Sequence, residues 1–211
     1  MSQLVEVERR ALGCTLCPLA SGRTTVVFGE GDPHARLMVV GEGPGREEDL
    51  QGRPFVGRSG QLLDKLLAEE AGLERRQVYI ANVVKCRPPN NRDPLPGEID
   101  ACRPYLEAQI AIIDPVVIIT LGNFASRTLL DTSEGITRLR GRSYPYPGGT
   151  TRAVVVPTFH PAAALRGGGE VVAKMRADMV RARQALDAAG PAAAPTGSAA
   201  AAPTGSAGEA P

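Results

Sequence analysis

The stretch that decides the fold is Leu37-Met38-Val39-Val40-Gly41-Glu42-Gly43-Pro44-Gly45, running on to Arg53-Pro54-Phe55-Val56-Gly57. A continuous apolar run, Leu37 to Val40, suits a strand buried on both faces of a parallel sheet. It ends in a turn crowded with glycine and proline, with an acid, Glu42, at the tip. In open α/β sheets ligands collect outside the carboxyl ends of the strands, where loops vary over a packed base. The rest of the chain is therefore read for what else points into that cleft.

Working outward, residues 3 to 12 carry Leu4, Val7, Ala11 and Leu12 at helical spacing, with Gly13 placed to end the helix. Ser59 is placed to cap a helix bearing Leu62, Leu63, Leu66 and Leu67 on one face, with Gly72 beyond its end. Val78 to Val84 reads as a second strand, leading into a proline-rich loop, Lys85 to Arg92. A helix from about Glu98 to Ile113 turns Ile99, Cys102, Leu106, Ile110 and Ile113 inward. Val116 to Leu121 is a third strand, with Gly122-Asn123 opening the next helix, and Ala153 to Thr158 is a fourth. Thr137 to Tyr146 reads as extended and basic. A last helix spans Glu170 to about Ala188. Strands alternating with helices predict a three-layer α/β/α domain over residues 1–189, built on a mainly parallel four-stranded sheet. From Gly190 the chain is Ala, Pro, Gly, Thr and Ser, with APTGSA at 194 and again at 202. Such a tail cannot bury enough apolar surface to offset its ordering entropy and is expected to be disordered.

Composition narrows the function classes. Lys plus Arg number 24 against 23 acids, so any nucleic-acid surface must be a local patch. No run approaches a membrane span, and the N-terminal stretch lacks the apolar core of a signal peptide, so a cytoplasmic, reducing location is expected. In that compartment Cys14, Cys17, Cys86 and Cys102 point to a metal or redox role before disulfides. Their spacing is C-x2-C, 68 residues, then C-x15-C. It allows four thiolates on one centre, and the Cys17-Pro18 step matches the end of iron-sulfur ligand runs. Zinc accepts the same set. Spacing does not separate the two, and Cys102 alone could simply be a buried apolar residue.

Glu42, Asn82 and His160 stand at or just past strand ends and should converge on one edge of the sheet. Each has a plain structural explanation singly; together they point to a site. The glycines do not make a dinucleotide fingerprint, because G-x-G-x-x-G needs its third glycine where Arg46 stands. Residues 46 to 58 also resist a helix, being interrupted by Gly52, Pro54 and Gly57, so the glycines are better suited to close backbone approach to a flat ligand. Arg138, Arg140, Arg142, Arg152 and Arg166 could grip phosphates, or form a solvated face.

The motifs GEGPGREED, GRPFVG, NVVKCRPPNNR and FHPAAALR, with the four cysteines, resemble the family 4 uracil-DNA glycosylases, the iron-sulfur enzymes of bacteria and archaea. The likeness runs in order from about Cys14 to the final helix. It implies a uracil-DNA glycosylase-like fold and a monofunctional, monomeric enzyme that hydrolyses the N-glycosidic bond of uracil in single- or double-stranded DNA, leaving an abasic site for base-excision repair. It further implies a [4Fe-4S] cluster on Cys14, Cys17, Cys86 and Cys102. Catalysis falls to Glu42 and His160, and the uracil pocket to Gly41, Glu42, Gly43, Phe55, Asn82 and His160. DNA contacts fall to Leu165, Arg166 and Arg140, with Leu165 or the loop around it filling the emptied base stack. A catalytically silent uracil or single-strand binder on the same fold is the alternative, and a zinc-stabilised nucleotide-binding protein a third reading. The position after Gly45 is often acidic in the family and is Arg46 here. A related branch traps DNA through a histidine in a basic loop, and residues 135 to 145 contain none. Contacts to a sliding clamp or other repair protein stay open.

Overall fold

The computed structural model describes residues 3–148 and 151–190; the expected tail, from 191 onward, lies outside them. Helix α1, Gln3–Leu12, precedes a short edge strand β1, Glu30–Gly31, and the central strand β2, Leu37–Gly41. Helices α2, Arg46–Gln51, and α3, Arg58–Leu66, lead to β3, Tyr79–Asn82. Helix α4, Pro96–Ile113, returns the chain to β4, Val117–Leu121. Helices α5, Gly122–Leu130, and α6, Ile136–Leu139, precede β5, Tyr144–Pro145, and β6, Val154–Thr158. Helix α7 spans Pro161–Ala188.

Among the described residues one sheet runs β1-β3-β2-β4-β6-β5. Its four inner strands are parallel, as the apolar runs predict, and the register pairs Gly41 with Asn82 and Leu121 with Thr158. The expected four strands become six, because two-residue antiparallel strands add at each edge. Two residues are too short to show any periodicity.

Side chains of the inner strands alternate between two cores. Met38, Val40, Ala81, Ile118 and Val155 pack with α1, α4 and α5, while Leu37, Val39, Ile80, Ile119 and Val156 pack with α3 and α7. Both faces are covered, which is why the strands read as unbroken apolar runs.

Four further expectations change. A six-residue helix, α2, does form before Gly52, whose φ of 69° ends it, so only the later part of 46–58 is irregular. The basic stretch after Gly135 is one helical turn, α6, before it becomes extended at β5. Helix α7 starts at Pro161, not Glu170. Proline fits its first position, and Gly168, at φ 71°, breaks the helix internally. Helix α3 is capped by the Gly57 backbone, with Ser59 inside it.

Candidate active site

The three parallel strand ends deliver the polar residues to one cleft of about 630 Å³, which Glu42, Phe55, Asn82 and His160 all line. That is room for a small organic ligand rather than for water alone. Pairing continues past the strands, with the N–H groups of Val83 and Val84 donating to the carbonyls of Gly41 and Glu42 at 2.9 and 3.1 Å. The backbone beside the cleft is thereby fixed.

Asn82 is buried, and its Oδ1 has no hydrogen-bond partner among the described residues. An unpaired buried acceptor costs about 1–3 kcal/mol unless a ligand satisfies it. Gly41 stands against it: a Cβ there would lie 2.4 Å from Asn82 Oδ1 and 2.5 Å from the Phe55 ring. The glycine keeps open the space between the Asn82 amide and the Phe55 ring.

His160 caps α7, its Nδ1 accepting from the Ala162 N–H at 3.2 Å. Burial, and then the nearby Arg166 charge, pull its pKa down to about 4. The ring is therefore neutral at pH 7, and with Nδ1 as acceptor its proton sits on Nε2. Glu42 is pushed the other way, up to about 7, by burial and by the charge of Asp93.

Phe55 presents its ring 5.8 Å from that of His160 at an interplanar angle of 32°. Its backbone is left-handed, φ 52°, a strained state for an aromatic residue. The surrounding loop holds it there. Arg75 donates to the Phe55 carbonyl at 3.3 Å and to the Pro54 carbonyl, and is itself paired with Asp64 and Glu30. Glu48 Oε1 accepts from the N–H groups of Val56 and Gly57 at 3.0 and 3.3 Å. Gly60 lets α3 pass beneath, since a Cβ there would meet the Phe55 carbonyl at 1.8 Å.

Leu165, Arg166 and Arg140, the residues expected to contact DNA, take different positions. Arg166 lines the cleft and Leu165 is 42 % exposed on the same turn. Arg140 is committed inward: it pairs with buried Asp178 at 2.9 Å, donates to the Lys174 carbonyl, and stacks 5.3 Å from the Phe159 ring. Asp178 also accepts from the Thr158 hydroxyl at 2.8 Å, so the pair braces the strand end that carries His160.

A second constellation lies under the opposite face. Cys14, Cys17, Cys86 and Cys102, all free thiols, line one cavity with Arg23, Lys85 and Tyr105. Arg23 donates to the Cys14 carbonyl at 2.7 Å and to Cys86 Sγ at 3.4 Å, and the Lys85 N–H donates to Cys102 Sγ at 3.2 Å. Among the described residues no three His, Cys, Asp or Glu side chains converge closely enough for a single metal ion. The thiols instead border a shared space; burial raises the pKa of Cys86 and that of Cys102, the latter to about 11, and the charges of Arg23 at Cys86 and Lys85 at Cys102 offset only part of it. That donor set fits a wider, sulfur-ligated group.

Comparison with known proteins bears on this geometry. A family model described as the uracil DNA glycosylase superfamily matches residues 28–187. The chain belongs to that superfamily, on its type-4 branch. It is 53 % identical over 161 residues to a type-4 uracil-DNA glycosylase of Thermotoga maritima, covering 76 % of this chain and 82 % of that protein. A type-4 uracil-DNA glycosylase of Sulfurisphaera tokodaii is 48 % identical over 169 residues, covering 78 % and 77 %. A type-5 uracil-DNA glycosylase of Thermus thermophilus is more distant, at 36 % over 173 residues. Within this type-4 chain, sequence reasoning missed Asp93, Glu48, Arg75 and Asp178. Asp93 acts on Glu42 by its charge, Glu48 and Arg75 hold the loop that carries Phe55, and Asp178 pairs with Arg140. Glu48 alone left a trace, in the acidic run after the glycine turn.

Proposed function

We propose that the protein is a monofunctional uracil-DNA glycosylase, acting as a cytoplasmic monomer on single- or double-stranded DNA. It hydrolyses the N-glycosidic bond of uracil and leaves an abasic site, which starts base-excision repair. The observation that carries this reading is the unpaired Asn82 Oδ1, aimed into a cleft with a neutral histidine donor and an aromatic plate. Uracil offers N3–H to that acceptor and O4 to the amide donor. Cytosine presents the reverse pattern and would leave buried groups unpaired.

The chemistry follows from these residues. The nucleotide is extruded at a cost of a few kcal/mol, and Phe55 stacks on its ring. As the bond from C1′ to N1 breaks, its electron pair moves onto the uracil ring and charge grows at O2. His160 Nε2–H stabilises that charge from a neutral ring, so no proton need leave the histidine. Glu42 in its ionised form orients the attacking water, accepts its proton and offsets positive charge at C1′. The Gly41 and Gly43 backbone walls the pocket. Leu165 enters the vacated stack and Arg166 meets a flanking phosphate.

Cys14, Cys17, Cys86 and Cys102 would hold a [4Fe-4S] cluster, which supplies a four-point covalent tie among the end of α1, the loop after β3, and α4. Brown colour and iron in elemental analysis are expected, with zinc the result that refutes this part.

Uracil-containing single- and double-stranded oligonucleotides should yield abasic sites without strand scission. Tight binding with no base release would instead support a catalytically silent binder on the same fold.

A further inference from the structure

Lys85 is among the largest fully buried side chains, 2 % exposed, and among the described residues no carboxylate pairs with it. A buried amine without a counter-ion is costly and persists only where its donors are used. Lys85 Nζ donates to the Asn82 carbonyl at 2.8 Å and to Gln109 Oε1 at 2.5 Å. Gln109 of α4 in turn donates to the Phe28 carbonyl at 2.9 Å and to the Tyr79 hydroxyl at 3.2 Å. The Phe28 ring lies 5.8 Å from the amine.

The main chain of the same residue is held as firmly. Its N–H reaches Cys102 Sγ, and its carbonyl accepts from Val27 at 2.8 Å. One turn thus has the base reader at one end and Cys86 at the other. Asn82 makes no side-chain hydrogen bond among the described residues, so its amide is aimed by packing and by its backbone. Strand pairing through Val83 and Val84 holds that backbone on one side, and the Lys85 side chain on the Asn82 carbonyl holds it on the other.

We propose that Lys85 is a positioning residue for base recognition, its side chain anchoring the Asn82 end of β3 to Gln109 while its backbone is bonded to the cysteine cage. Each side-chain bond needs one N–H, which the amine supplies whether charged or neutral. The inference rests on Asn82 reading the base.

The test uses the full chain carrying Lys85→Met or Gln109→Met. Inhibition by free uracil and affinity for abasic-site DNA are measured alongside kcat, iron per chain and thermal midpoint. Both variants should bind uracil about tenfold more weakly, the equivalent of about 1.4 kcal/mol. Abasic-DNA affinity and iron content should stay at the wild-type level. A merely structural role would lower the active fraction and leave uracil inhibition per active molecule unchanged, which would overturn the proposal. If Lys85→Met does not fold, Gln109→Met alone decides by the same measure. Wild-type protein that releases no uracil would refute the glycosylase reading; active wild type with unaltered uracil inhibition in both variants would refute only this one.

Discussion

The Nδ1 of His160 accepts a hydrogen bond from the backbone N–H of Ala162, two residues along the first turn of α7. That single bond assigns the ring's roles. Nδ1 is occupied as an acceptor, Nε2 carries the proton, and burial keeps the ring neutral by drawing its pKa to about 4. The folded value lies below the unfolded one of about 6.5, so the unfolded chain takes up more protons between them. Stability from this group is present above about 6.5 and is lost as pH falls through about 4. Nitrogen NMR of the His160 ring should show the neutral Nε2–H form down to about pH 5, and titration near 6.5 would contradict the assignment. His160→Ala should lower kcat by about 10²–10³.

Asp93 and Glu42 share the cleft, and the Asp93 charge is second to burial in raising Glu42 to about 7. Asp93→Asn removes that charge, so Glu42 ionises more readily. The acidic limb of the kcat/KM profile should move to lower pH, with the plateau rate kept. An unmoved limb would show that Glu42 ionisation does not control it.

Gly41→Ala should close the pocket while leaving the sheet intact. The added methyl meets both Asn82 Oδ1 and the Phe55 ring, and uracil must occupy the same volume. Base release should drop at least about 10²-fold, the scale of a catalytic misplacement of about 1 Å, with an unchanged circular dichroism spectrum.

Arg75→Ala should free the Phe55 loop from its left-handed strain. Two carbonyl bonds and two ion pairs are lost together, for an expected destabilisation of about 1–3 kcal/mol. Loss of the stacking plate should raise KM for uracil-DNA more than abasic-DNA affinity changes. Arg75→Lys, which keeps the charge but not the fork, should restore only part of the effect.

Asp178→Ala strands Arg140 beside Phe159 and removes the acceptor of Thr158. Breaking a buried pair from one side costs about 3–5 kcal/mol, read as a lower urea midpoint. A variant as stable as wild type would mean that Arg140 finds another partner.

Much of the fold was legible in the chain. Leu37–Val40, Val117–Ile119 and Val154–Val156 are apolar runs because both sheet faces are covered, and a pattern of that kind survives without tertiary information. The convergence of Glu42, Asn82 and His160 on one cleft was legible for a related reason: each stands at or just past a strand end, and parallel topology brings those ends to one edge. The edge strands at Glu30 and Tyr144 were not, because two residues carry no period. Helix α2 was missed because six residues before Gly52 give too little pattern to outweigh the glycine and proline that follow.

By itself the sequence determined the layered α/β order, the three strand-end side chains and the four cysteines, since these depend on local periodicity and residue type. Only the tertiary structure decided their states. The neutrality of His160, the raised pKa of Glu42, the empty acceptor on Asn82, the bracing of Phe55 by Arg75 and the turning inward of Arg140 all arise between residues distant in the chain. Burial and electrostatic coupling depend on three-dimensional neighbours, and no spacing along the chain encodes them.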